Sequence, residues 1–195
     1  MTKKELRNTI RNNLDKTPSH IKQRKSLIIT EKILADKNWI EADSIFIFIS
    51  MPSREPSTAA LIKAALTAGK SIAIPRIELS TGVMSFKKIN GLSYPNEVLT
   101  EKHPFGFFQP GEHLTELYPE ISGKNLIIVP GVAFSPNCER LGNGGGYYDR
   151  FLSSVPATTK TIGICFQDQI VSDLPVEIHD IAVMEVYTEE HRYKR

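Results

Sequence analysis

The sequence predicts an α/β fold of three layers, a mostly parallel central sheet with helices on both faces. Three observations carry this. The runs SIFIFIS (44–50), SIAIP (71–75), NLIIVP (125–130) and TIGICF (161–166) are short, apolar and rich in β-branched residues. Such runs suit strands buried on both sides. Thr58 to Ala68 reads as a helix between the first two runs, and a strand–helix–strand unit imposes parallel pairing. Helical patterns also precede the first run and follow the third, the alternation that marks this class.

The elements follow in order. Thr2-Lys3-Lys4-Glu5 has the spacing of a capping box, and Leu6, Ile10 and Leu14 repeat at four as one apolar stripe. Thr17-Pro18 predicts a second helix with proline at its first position, carried by Ile21, Ile28, Ile29 and Ile33 toward Trp39. Gly69 is placed to end the helix from Thr58. VMSFKKI (83–89) is a further strand, and residues 90–122 read as loop with short elements. A helix is expected from about Gly145 to Ser153, and a more amphipathic strand over IAVMEVYT (181–188). Phe46 and Cys165 are expected in the core, and Cys138 on a loop open to modification.

The chain of 195 residues suits one domain spanning 1–195. Twenty-four basic against 22 acidic residues leave a net charge of +2, so global charge nominates neither nucleic acid nor membrane. Two cysteines build no disulfide framework and no four-cysteine metal site. The charged N-terminus lacks an apolar stretch behind it, and 44–51 is too short to span a bilayer. A cytoplasmic protein, a monomer at this size, is expected.

The chemistry concentrates in CERLGNGGGYYDRFL (138–152). A strand delivers the chain to a glycine-rich loop, and the loop delivers it to a helix. Glycines let backbone N–H groups approach a ligand, and a helix start adds N–H donors and partial positive charge. Arg140 adds a guanidinium suited to phosphate oxygens. The stretch is neither of the common phosphate loops. Tyr147 stands where a dinucleotide loop needs its third glycine, and Ala64 stands where a Walker loop before Gly69-Lys70-Ser71 needs its first.

The series Pro130-Gly131-Val132-Ala133-Phe134, then Arg140-Leu141-Gly142, Gly144 and Gly146-Tyr147-Tyr148-Asp149, resembles the signature of 5-formyltetrahydrofolate cyclo-ligases. Weaker likenesses follow in the same order: Lys3 and Arg7; Ile49-Ser50 with Glu55-Pro56-Ser57-Thr58; Gly69-Lys70 with Ile74-Pro75-Arg76; Phe105-Gly106 to Gln109-Pro110; and Gln169, Pro175 and His179-Asp180. Ser135, Cys138 and Asn143 depart from the pattern, which usually has Asp, Gly, and Arg or an aromatic there.

The resemblance implies ATP-dependent closure of 5-formyltetrahydrofolate to 5,10-methenyltetrahydrofolate, with release of ADP and phosphate. It implies ATP-binding at Lys3, Lys4, Arg7, Arg140, Leu141, Gly142, Asn143, Gly144, Gly145, Gly146, Tyr147 and Tyr148. Folate would lie against Ile49, Glu55, Phe105, Asn143, Gly144, Gly145, Gly146 and Tyr147. Arg140 and Tyr147 would act in catalysis, and Asp149 and Asp180 would hold Mg2+. Read without the resemblance, Lys3 and Arg7 form a solvated helix face. Asp149 then complements a helix dipole, Asp180 is a turn residue, and His179 is structural. Two other classes also stay open on the residues alone. One is a sugar-phosphate isomerase or coenzyme A transferase. The other is a nucleic-acid module using Lys3, Lys4, Arg7, Arg11, Lys16, Lys22, Arg24 and Lys25, although no nucleic-acid motif is present.

Overall fold

The computed structural model describes residues 1–51, 53–91, 95, 98–103 and 107–195. Its seven-stranded sheet runs, in spatial order, β11 (Arg192–Lys194), β10 (Glu185–Tyr187), β9 (Lys160–Ile164), β6 (Asn125–Val129), β1 (Ser44–Ile47), β2 (Ser71–Glu78) and β3 (Val83–Ile89). The strands from β10 to β2 are parallel, and β11 and β3 close the edges antiparallel. From β1 the chain steps outward through β2 to β3. It then returns to β6, on the other side of β1, and steps outward again. The order therefore reverses between β1 and β6, and connections leaving their carboxyl ends diverge to open a crevice.

The alternation of side chains on β1 divides the core. Ile45 and Ile47 pack with Leu6, Ile10 and Leu14 of α1 (Lys3–Lys16), Ile29 and Ile33 of α2 (Ser19–Leu34), Trp39 of α3 (Lys37–Glu41), and Leu61 and Ile62 of α4 (Ala59–Thr67). Phe46 faces the opposite way, into Phe86, Phe134 and Phe151. Only α5 (Tyr147–Ser154) covers that second face among the described helices. Each fully buried Ile or Phe contributes about 1.5–3 kcal/mol by leaving water, so the buried strands anchor the loops that leave them.

Several expectations are corrected. The second helix stops at Leu34; Asp36 accepts from Asn38 N at 2.8 Å and starts a separate helix that carries Trp39. Pro18 is the residue before that second helix, with ψ 145°, rather than its first turn. The first strand ends at Ile47, because Ser50 and Thr58 exchange hydrogen bonds that bend the chain toward α4. The final run yields strand only at Glu185–Tyr187, and the edge strand β11 was not foreseen. The last helix begins at Tyr147, after Gly146 in the left-handed conformation. Cys165 is buried, one residue beyond β9. Cys138 is fully buried, and burial raises its thiol, so it is closed to modification. Residues 90–122 contribute the pair β4 (Leu99–Lys102) and β5 (Phe108–Pro110). Among the described residues, no helix is long and apolar enough to cross a membrane.

Candidate active site

The crevice between β1 and β6 is the mouth of a cavity of about 770 Å³. Three segments supply most of its lining. The first is α1, whose start is fixed by the expected capping box: Thr2 Oγ1 accepts from Glu5 N, and Glu5 Oε2 accepts from Thr2 N. Lys3, Arg7 and Arg11 recur at four on this helix, so one face presents all three cations to the cavity.

The second segment joins β1 to α4. Thr58 Oγ1 donates to Phe48 O at 2.8 Å, and Lys22 of α2 reaches across to donate to Ser53 O at 2.7 Å. These bonds hold a loop that carries Ile49, Met51, Arg54 and Glu55 into the cavity wall. Glu55 is 8% exposed, and its Oε2 accepts from Met51 N at 2.7 Å. Burial raises its carboxyl to about 7, against the lowering effects of the Met51 bond and Arg54.

The third segment is the glycine stretch. It begins with a ribbon that sequence reading missed, β7 (Ala133–Phe134) against β8 (Arg140–Leu141). The ribbon returns Arg140 to the base of the cavity before the glycines begin. Gly144 has φ +108° and Gly146 φ +66°, conformations that side chains resist. Arg7 Nε donates to Gly142 O at 2.7 Å, and Arg11 Nη2 donates to Asn143 Oδ1 at 2.7 Å. Helix α1 thus clamps the loop from 135 residues away in sequence.

The two expected metal carboxylates face the same cavity. Asp149 Oδ1 accepts from Arg140 Nη2 at 2.7 Å and from Ile181 N at 3.1 Å. Asp180 Oδ2 accepts from Lys3 Nζ at 2.6 Å and from Glu177 N at 2.7 Å. Burial opposes ionisation of Asp180, but these bonds outweigh it and hold the carboxyl below its ordinary value. The bond to Ile181 N, the residue after Asp180, ties the two carboxylates into one corner. Among the described residues no group of three or more His, Cys, Asp or Glu could cage a metal. Magnesium needs no such cage; it takes one or two carboxylates and completes its shell with phosphate oxygens and water. Hard oxygen donors on Asp149 and Asp180 fit it.

Tyr147 and Tyr148 both line the cavity. Arg150 lies over the Tyr147 ring, and Arg140 over that of Tyr148, at 5.2 and 5.7 Å. The Tyr148 hydroxyl is buried with no hydrogen-bond partner among the described residues, and burial, then the Glu55 charge, raises it above its ordinary value. A ligand atom in the cavity is the natural partner for it.

Of the residues expected at the site, Lys3, Arg7, Ile49, Glu55, Arg140, Leu141, Gly142, Asn143, Gly144, Gly145, Gly146, Tyr147, Tyr148, Asp149 and Asp180 line one cavity. Lys4 is exposed and is not among the lining residues. Phe105 lies outside the described residues; Phe107 and Phe108 line the cavity nearby. His179 sits at the rim, its side chain 67% exposed and its Nε2 3.1 Å from Glu177 Oε2. Arg11 and Arg54 were missed as site residues. The repeat of cations at four from Lys3 was the available signal for Arg11; Arg54 had none.

The 5-formyltetrahydrofolate cyclo-ligase family profile matches residues 1–189. The chain is 31% identical over 193 residues to a mouse 5-formyltetrahydrofolate cyclo-ligase, covering 96% of this chain and 94% of that one. It is 32% identical to a probable 5-formyltetrahydrofolate cyclo-ligase of Caenorhabditis elegans, covering 96% and 92%. Its fold matches the NMR structure of Aquifex aeolicus 5,10-methenyltetrahydrofolate synthetase with a TM-score of 0.81 at 25% identity, over 100% of this chain and 93% of that one. With the profile spanning nearly the whole chain and the cavity built on the signature residues, the chain belongs to the 5-formyltetrahydrofolate cyclo-ligase family.

Proposed function

We propose that the protein uses ATP to close 5-formyltetrahydrofolate to 5,10-methenyltetrahydrofolate, releasing ADP and phosphate. Family membership supports this reading over an isomerase, a coenzyme A transferase or a nucleic-acid module. The observation that carries it is one cavity joining a cation-clamped glycine loop to a buried carboxylate, Glu55, on the neighbouring loop.

The chemistry needs an activated formyl group. The formyl oxygen attacks the γ-phosphorus, its new O–P bond forms, and the bond to ADP breaks. N10 then attacks the formyl carbon of this imidate-like phosphate, the carbon–oxygen bond breaks, N10 loses its proton, and phosphate departs. The protein's task is to hold two substrates in line and to neutralise phosphate charge. Lys3, Arg7, Arg140 and the backbone from Leu141 to Tyr148 supply donors and charge for the phosphates. Arg140 and Tyr147 stand beside the transferring group. Ionised Glu55 accepts from the N–H groups of the pterin, with Ile49 and Tyr147 against its faces. Asp149 and Asp180 would hold Mg2+, which supplies charge neutralisation on the phosphates when bound. The proposal includes a monomer and a cytoplasmic location, the latter in keeping with two free, buried cysteines.

The test is the absorbance of 5,10-methenyltetrahydrofolate in purified protein, Mg2+ and 5-formyltetrahydrofolate, with and without ATP. An ATP-dependent rise supports the reading. Binding of both substrates without product marks an inactive relative, and binding of neither overturns the proposal.

A further inference from the structure

Arg11 and Arg54 are the cavity cations that the proposed reaction leaves without work. They come from separate elements, Arg11 from the third turn of α1 and Arg54 from the loop before Glu55. Both line the cavity. They lie near enough for Arg54 to be felt by Arg11: burial first, then Arg54 and Arg7, pulls the Arg11 guanidinium below its ordinary value.

Among the described residues, no carboxylate forms an ion pair with either arginine; the arginines with a carboxylate within 4 Å are Arg76, Arg140 and Arg192. Arg11 Nη2 bonds to the neutral amide of Asn143, and its Nε is buried without a partner among the described residues. Glu55, next to Arg54 in the chain, turns its Oε2 to Met51 N and forms no ion pair with Arg54 within 4 Å. Like charges in a partly desolvated wall repel, and a fold keeps them there at a cost in stability. An arriving oxyanion removes that repulsion and satisfies the orphaned donor, and a guanidinium fork suits carboxylate and phosphate alike.

We propose that Arg11 and Arg54 form an anion subsite at the cavity wall that grips an oxyanion group of a bound substrate, with Asn143 holding the Arg11 fork in place. This rests on the function proposed above. The same chemistry has two sources there: phosphates of the nucleotide and the glutamate carboxylates of the folate. The subsite sets affinity for whichever it holds. It is therefore a specificity element, separate from the Lys3, Arg140, Asp149 and Asp180 corner.

The test uses the full chain in binding titrations without turnover. Wild-type protein, Arg11→Met, Arg54→Met and Arg54→Lys are each titrated with ATP alone, and with 5-formyltetrahydrofolate carrying one or five glutamates. The subsite predicts that each Met variant weakens one ligand about tenfold and leaves the other within about twofold. The lost affinity in wild type should also be the salt-sensitive part, and Arg54→Lys should retain some of it. Loss confined to ATP assigns the subsite to phosphate. Loss confined to the folate, growing with glutamate number, assigns it to the tail. Unchanged affinity for both ligands overturns the subsite, and so does equal loss of both with a lowered melting temperature, which would mark a merely structural pair. A wild-type protein that binds neither ligand instead overturns the parent function.

Discussion

Arg140 Nη2 donates to Asp149 Oδ1 at 2.7 Å in the cavity wall, with the two side chains 3% and 17% exposed. The pair bridges the ribbon before the glycines and the helix after them. Arg140→Met strands a nearly buried carboxylate, so unfolding free energy should fall by about 3 kcal/mol. Asp149→Asn keeps an oxygen acceptor for Arg140 and for Ile181 N and should cost about 1 kcal/mol. Urea unfolding of both variants checks the order.

Asp149→Ala addresses function rather than folding. Its proposed work is on the metal and phosphate side, so turnover should fall about a hundredfold or more while 5-formyltetrahydrofolate affinity changes little. Steady-state kinetics and calorimetric titration separate the two. Equal loss in both measurements would count against the role.

Glu55 couples stability to pH. Burial raises its carboxyl from an ordinary 4.5 to about 7. Between those values the folded protein keeps a proton that the unfolded chain has lost. The contribution of Glu55 to stability is therefore greatest in mild acid, falls as pH rises from about 4.5 to about 7, and is flat above. The span is about 3 kcal/mol. Glu55→Gln should remove this slope, stabilise the fold at pH 8, and weaken 5-formyltetrahydrofolate binding, because an amide accepts less strongly from pterin N–H groups. Folate affinity of the unaltered protein should also rise through pH 7. Denaturant midpoints and folate titrations across pH test both halves, and unchanged folate affinity in the variant sinks the assignment.

Cys138 holds φ +64° while its side chain is fully buried. A left-handed conformation costs a side-chain residue about 1–2 kcal/mol, and glycine almost nothing. Cys138→Gly and Cys138→Ala both lose the thiol's packing, so their difference isolates the backbone. The glycine variant should be the more stable by about 1 kcal/mol, read as a difference in urea midpoint. The departure from the family's usual glycine is thus a local strain, offset by burial among Phe46, Phe134 and Val186.

This residue shows where sequence reading reaches and stops. The buried strands were legible because β1 and β6 lack any polar face, and the glycine stretch because no ordinary turn needs so many. The ribbon of β7 and β8 was hidden because it pairs residues through a tight turn, with Cys138 standing at its positive φ in place of glycine. The break after Leu34 was hidden because the apolar pattern continues to Trp39, and only the Asp36 cap interrupts it. Arg11 was legible only as one of the basic residues of the first helix and Arg54 not at all, since a relation across 43 residues leaves no local pattern. The cavity was legible as a set of motifs but not as a shape.

Lys22 extends the site beyond its lining. It is 7% exposed, and Nζ donates to Ser53 O at 2.7 Å, in the loop that carries Arg54 and Glu55. Ser26, one turn on, accepts from Ser57 N at 3.1 Å in the same loop. Helix α2 therefore sets where Glu55 sits without lining the cavity itself. Lys22→Met keeps the apolar stem and removes the ammonium. It should cost about 1–2 kcal/mol of stability, the value of a charge-assisted bond. Its larger effect should be on the folate side, with KM for 5-formyltetrahydrofolate raised about fivefold and KM for ATP and kcat nearly unchanged. Lys22→Arg, which still reaches a carbonyl, should recover part of the loss. If KM for ATP and for folate rise together, Lys22 holds the fold as a whole and not the Glu55 loop.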